Sequence, residues 1–211
     1  MLDILTSLDH LILGTSDLRG GIEFVEQFTG VRAAFGGVHP GRGTQNALLS
    51  LGPKCYLEIL APDPEQNDLA WFRTLPQLTK PRLVGWMVYP SAPLVVVADR
   101  LRKAGIPCDK PRESSRQTPD GHTLRWKLLR LADDRQGLLP IFIEWSVDSP
   151  HPATDAPSGC RLLRFEISSP EPSDLQQVSD VLGLDLPIGT GDRPQLLASI
   201  ASSKRVLELT S

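Results

Sequence analysis

The 211-residue chain predicts an α+β protein made of repeated β–α–β–β–β units, two complete and a third abbreviated to β–α–β–β. Three observations carry this. A strand, helix-cap, helix and stop-glycine pattern occurs three times. Each occurrence is followed by short apolar strands. Prolines number 19, about 9% of the chain against a usual value of about 5%, which favours short elements joined by turns over long helices.

The units read in order as follows. In LDHLILGTSDLRGGIEFVEQFTG, residues 8–13 are a strand and Ser16 or Asp17 is a cap. Leu18, Ile22 and Val25 then fall at helical spacing before Gly30 stops the helix. A glycine-punctuated loop, GGVHPGRGTQ, leads into the strands NALLSLG and CYLEILAP around a Gly-Pro turn. RLVGWMVYPSAPLVVVADRLRKAG repeats the order, with a strand at 83–89, a cap at Ser91, an apolar face of Leu94, Val97, Ala98 and Leu101, and Gly105. The loop PRESSRQTPDG and the strands HTLRWKLLRLA and LLPIFIEWSV complete it. RLLRFEISSPEPSDLQQVSDVLG gives the third occurrence, with a strand near 162–168, a capping box of Ser173 with Gln176, and a stop at Gly183. PQLLASIA and RVLELTS then end the chain. The implied division is a first module at 1–63, a short helical connection at 64–81, a second module at 82–147, a linker at 148–159 and a truncated third module at 160–211.

Composition narrows the function classes. The chain is 40% hydrophobic and 22% charged with a formal net charge of −3, as in ordinary globular proteins. That balance gives no electrostatic reason to expect nucleic acid or an anionic membrane as partner. No apolar run approaches the roughly 20 residues of a spanning helix, and MLDILTSLDH lacks the features of a signal peptide. Three widely spaced cysteines, Cys55, Cys108 and Cys160, without a CxxC pair, predict a reducing, cytoplasmic setting. Nothing reads as a P-loop, GxGxxG, GxSxG or HExxH motif, so no organic cofactor is expected.

The sharpest chemical signal is a pair of glutamates in similar apolar strands. CYLEILAP places Tyr56, Glu58 and Leu60 on one face, and PIFIEWSV places Phe142, Glu144 and Ser146 on one face. A buried carboxylate requires an arginine, a strong donor or a metal. His10, on the strand face of Leu8 and Ile12, is either a satisfied core residue or a third member of the group. One imidazole and two carboxylates suit one divalent ion of Fe, Mn, Zn or Ni type with open positions.

These residues resemble the vicinal oxygen chelate superfamily, and within it the glyoxalase-like domain proteins. The resemblance rests on LDHLILGTSDL, HPGRGTQNALLSLG and YLEILAPDP in the first half, and on SRQTPDGHTLRW and IEW followed by HP in the second. It implies that paired β–α–β–β–β modules close into a cup-shaped mixed sheet with metal ligands on the first and last strands of each module. Carried onto this chain, those positions are His10, Glu58 and Glu144, the two glutamates also serving as catalytic groups. The position matching His10 in the second module is Gly85 or Trp86, neither of which ligates a metal.

Other polar and aromatic residues are candidates for the cup lining. His39 lies in the Gly-rich loop and Asn46 begins a strand. Arg116 and Arg125 could hold a substrate carboxylate or phosphate, or instead neutralise a glutamate. Tyr56, Trp86 and Phe142 would supply apolar walls. His151 follows Glu144 in the linker, exposed or folded over the mouth. Two functions follow from the resemblance. One is a metal-dependent lyase or isomerase, or a dioxygenase of the same type, acting on a small oxygenated metabolite. The other is a metal-free protein that sequesters a small ligand. The short third sheet leaves an edge that a homodimer could cover, or it extends the cup wall.

Overall fold

The computed structural model describes residues 2–211. Its main sheet has eight strands, and the first module supplies four of them. These are β1 (Leu8–Gly14), β2 (Ala34–His39), β3 (Thr44–Gly52) and β4 (Cys55–Pro62), with helix α1 (Leu18–Thr29) after β1. The second module supplies β5 (Arg82–Val88), helix α2 (Leu94–Lys103), β6 (Arg112–Gln117), β7 (Thr123–Leu129) and β8 (Ile141–Trp145). The strand order is β2-β3-β4-β1-β5-β8-β7-β6, two four-stranded halves joined by the antiparallel pair β1·β5. In each half the first strand runs parallel to the last, β1 with β4 and β5 with β8. The fold is therefore mixed α+β with a nearly closed, cup-shaped sheet.

Closure brings the edge strands β2 and β6 together. Arg116 on β6 donates from its guanidinium to the carbonyl of Gly36 on β2. Gly37 has φ +135°, and a Cβ there would stand 2.4 Å from the Gln117 carbonyl oxygen. Only glycine lets the two backbones approach this closely.

The local signals act as the sequence indicates at α1. The Asp17 side chain accepts from Gly20 N at 2.7 Å, and Gly30 closes the helix at φ +75°. They fail at α2, where Ser91 does not cap: the helix starts after Pro93, whose ring offers no acceptor. The third helix, α3 (Pro172–Leu182), likewise starts at a proline and has no side-chain cap. Gln176 bonds Asp180 rather than closing a capping box with Ser173. Residues 64–81 hold only one short 3-10 turn, Leu75–Gln77, and not a helical connection of any length.

The third segment differs from the first two in its strand order. Strands β9 (Cys160–Ser169), β10 (Ile188–Thr190), β11 (Gln195–Ser202) and β12 (Val206–Thr210) form a separate sheet ordered β10-β9-β11-β12, with β9 central. It is neither a shortened cup half nor part of the cup wall. Its apolar face, Phe165, Ile167, Leu196, Ala198 and Ile200, joins the core behind the main sheet, shared with Leu11, Leu57, Trp86 and α2. Phe165 meets Trp86 edge to face at a centroid distance of 5.0 Å. A parallel pairing of Leu2–Asp3 with Leu184–Asp185 ties the start of the chain to this segment. Among the described residues no helix is long and apolar enough to cross a membrane.

Phe165 is 1% exposed and its ring fills the contact between the two sheets. We expect Phe165→Ala to lower unfolding free energy by about 3–4 kcal/mol, measured by urea denaturation.

Candidate active site in the cup

The inner face of the main sheet is read directly from strand pairing. His10 lies opposite Met87 and Ile12 opposite Gly85 across β1·β5, while Tyr56 and Glu58 on β4 lie beside His10 and Ile12. These two cross-pairs are consistent with one pseudo-twofold axis that maps His10 onto Gly85 and Ile12 onto Met87. The pairing of Met87 with Ile141 then maps Glu58 onto Ile141. The second-module counterparts of the two polar wall residues are thus a glycine and an isoleucine. The Phe72 ring of the connector, held at φ +53°, packs over Gly85 within 4 Å of where a Cβ would stand.

Glu144 is three residues beyond Ile141, an odd number of steps, so alternation puts it on the opposite face. It is not in the cup. Its carboxylate accepts from the backbone N–H of Leu94, the first residue of α2, at 3.2 Å. This is the helix cap that Pro93 cannot provide, and a negative charge is favoured at that end. The two glutamate strands resemble each other in sequence but are offset by one face. The same offset removes Phe142 and Trp86 from the lining: both are buried in the core on the helix side, where Trp86 donates from Nε1 to the Leu138 carbonyl at 3.1 Å. Arg125 is exposed on the outer surface.

His10, His39, Asn46, Tyr56, Glu58 and Arg116 do come together. They line one cavity with Arg42, Trp71, Phe72, Met87, Trp126, Ile143 and Trp145. The cavity, counted to its open mouth, has a volume of about 580 Å³.

The polar floor is a connected set. A register shift between Leu8 and His10 lets consecutive side chains meet, and Asp9 Oδ1 lies 2.5 Å from His10 Nδ1. Asp9 is 0% exposed, and its other oxygen takes Trp145 Nε1 at 2.8 Å and His151 Nε2 at 3.2 Å. Burial alone would raise this carboxyl, but the bonds and charges of His10 and His151 bring it down to about 2. His151 Nδ1 accepts from Ala153 N, so its Nε2 carries the proton given to Asp9. The linker therefore folds back on the cup. His10 turns Nδ1 to Asp9 and Nε2 to the cup side, and its ring stacks 4.4 Å from Tyr56.

Glu58 stands at the centre. Its Oε1 accepts Asn46 Nδ2 at 2.6 Å and lies 3.8 Å from His39 Nε2, and its Oε2 lies 3.6 Å from His10 Nε2. His39 Nδ1 is 2.8 Å from Thr44 Oγ1. Burial, opposed by Glu58 and aided by Arg116 and Arg42, depresses His39 to about 4, so it is neutral near pH 7. Among the described residues Asn46 Oδ1 is buried without a hydrogen-bond partner, packed against Gly36.

A divalent metal was expected on His10, Glu58 and Glu144, and that donor set does not form, because Glu144 faces away. His39 is not a ready replacement. The Asn46 amide nitrogen sits against both Glu58 and His39, at 2.6 and 3.4 Å, and Arg116 adds positive charge. Among the described residues no three His, Cys, Asp or Glu side chains are arranged to hold a metal. Sequence reading missed Asp9, Arg42, Trp71, Phe72 and Trp145 as parts of the site. Asp9 was legible as an acid next to His10, but alternation assigned it to the other face.

Two β–α–β–β–β halves closed about one polar cavity define a cup of glyoxalase-like type. The chain belongs to the glyoxalase-like domain family, whose model matches residues 8–182. A hypothetical protein from Staphylococcus aureus is similar over 96% of this chain and 98% of its own, with 15% identity and a TM-score of 0.67. Methylmalonyl-CoA epimerase from Mycobacterium tuberculosis aligns at 21% identity and a TM-score of 0.46, over 73% of this chain and 95% of its own. These likenesses concern the fold. No curated protein matches the sequence.

His39 titrates near 6.5 when unfolded and about 4 when folded, so below pH 6.5 the unfolded chain binds the extra proton and stability falls as pH drops toward 4. We expect about 2 kcal/mol less stability at pH 5 than at pH 7 from this residue. Urea melts of wild type and His39→Gln should show the variant losing less between those pH values. Glu144→Ala should cost about 1 kcal/mol through the lost cap, measured by urea denaturation.

Proposed function

We propose that the cup binds a small oxygenated metabolite and moves a proton on it, as a lyase or isomerase, through its own side chains. The observation that carries this reading is the convergence of an imidazole nitrogen and a carboxylate oxygen, His10 Nε2 and Glu58 Oε2, 3.6 Å apart at the cavity floor. Asp9 holds the His10 tautomer, and Asn46 fixes Glu58. A C–H proton next to a carbonyl passes to Glu58 or His10, and its electron pair moves onto the carbonyl oxygen. The buried Arg116 guanidinium bordering the cavity supports that developing negative charge. Return of the proton at the same or a neighbouring carbon completes an isomerisation, with no oxidant or reductant. No step is assigned to a metal, because the predicted donor set does not assemble.

A second reading, sequestration without chemistry, draws on the aromatic walls. Trp126 and Trp145 pack at 5.2 Å, and Trp71 and Phe72 close the opposite side.

Solvent exchange separates the two. The protein is incubated in D2O with a panel of three- to six-carbon 2-oxo and 2-hydroxy acids and their phosphate esters, and followed by proton NMR. We expect deuterium at the carbon beside the carbonyl of at least one compound, with Glu58→Gln and His10→Gln slowed about 100-fold or more. Binding without exchange would favour sequestration. Treatment with EDTA should leave exchange unchanged. Loss of exchange that Mn, Fe, Zn or Ni restores, with stoichiometric uptake by wild type and none by Glu58→Gln, would replace this mechanism with a metal-dependent one.

A further inference from the structure

Strand β6 carries a row of polar residues toward the cup. Arg116 is buried in the cavity, and by alternation Ser114 and Arg112 follow on the same face toward one end of the strand. Arg42, in the β2–β3 turn, lines the same cavity and donates to Ser114 Oγ. Arg42 and Arg130 both lie over the indole of Trp71, with guanidinium carbons 4.1 and 4.7 Å from the ring centroid. Arg112, two residues before Ser114 on the same face of β6, completes the group.

Three guanidinium groups gathered at one place repel one another, and the acids nearby do not balance them. Asp134 stands 3.6 Å from Arg130, and among the described residues no carboxylate lies within ion-pair distance of Arg42 or Arg112. Among the described residues no acceptor meets the buried Arg130 Nε. Burial, Arg130 and Arg112 all depress the proton affinity of Arg42, the mark of a cation lacking its counter-charge. The turn that presents Arg42 is held firmly. Gln66 Oε1 accepts from Gly41 N at 2.8 Å, and Gly43, at φ +72°, leaves no room for a Cβ beside the Asp68 carbonyl. The arrangement is preorganised rather than collapsed onto a protein acid.

We propose that Arg42, Arg112 and Arg130 form the subsite for a phosphoryl dianion on the cup's ligand, whose oxygenated end reaches Glu58 and His10. Three cations less the Asp134 charge leave two positive charges, matching a dianion better than a single carboxylate. Trp71 fixes two of the guanidinium planes. This deepens the reading of the cup as a ligand site and rests on it.

The test is calorimetric titration at pH 7.5 and low salt with methyl phosphate, inorganic phosphate and acetate. Methyl phosphate should bind one to one, at least tenfold more tightly than acetate. Arg42→Gln and Arg112→Gln should each weaken it at least tenfold, and Glu144→Gln, outside the cup at the start of α2, should leave it unchanged. Arg112 is exposed, so its variant keeps the test sharp if Arg42→Gln folds poorly. Equal binding of methyl phosphate and acetate, or unaltered binding in both arginine variants, overturns the subsite. Deuterium exchange reads the floor separately. Phosphate binding that survives in a protein without exchange supports the subsite while rejecting the proton chemistry, and exchange with no phosphate binding does the reverse.

Discussion

The antiparallel pairing of β1 with β5 is the constraint on which the cup depends. It joins the two halves, and its register decides which side chains of four central strands face inward. With His10 opposite Met87 and Ile12 opposite Gly85, the polar groups of the first half meet an apolar wall from the second. A slip of one residue would turn His10 toward the helices and Trp86 into the cavity. The packing of Trp86 against Phe165 and its bond to Leu138 hold the register from behind. The third segment is thus connected to function through the core: its sheet covers the back of the strands whose front forms the site.

The architecture was legible in the sequence because it is written in short-range signals. Asp17 and Gly30 bracket α1, and the strand–helix–strand order recurs with enough spacing to show two halves. His10, Glu58 and Asn46 were also legible, since each is a polar residue in an apolar strand of a recognisable motif, whereas His39 and Arg116 came from segments that read as loops and that form strands β2 and β6. Glu144 misled for a physical reason. A strand read alone has two faces, and nothing local says which one is the cup side. YLE and FIE look alike, yet Ile141 is the true counterpart of Glu58, and Glu144 is taken by the bare N-terminus of α2. Proline at the start of that helix was the available clue, because it leaves the N-terminus seeking an outside acceptor.

Division of labour follows from the broken symmetry. A twofold cup with equal halves would place four similar groups around its centre. Here one half supplies Asp9, His10, Asn46 and Glu58, and the other supplies Met87, Ile141, Ile143 and the indoles of Trp126 and Trp145. Trp145 belongs to both systems, since it lines the cavity and donates to Asp9. An apolar wall facing a carboxylate limits water around it, which strengthens any charge developed there.

Charge is arranged along the cup as well as across it. Acceptors gather at the floor, Arg116 stands beside them, and three further arginines collect around Trp71. That separation persists because the basic groups sit on β6, β7's end and the β2–β3 turn, while Glu58 and Asp9 sit on the central strands. Arg116 is the joint between the two ends. It closes the seam through Gly36 and also borders the cavity. One side chain thereby couples closure of the sheet to the electrostatics of the floor. A ligand whose negative end engages the arginines would place its neutral, oxygenated end where the acceptors converge, and that orientation is imposed by charge before any specific contact forms.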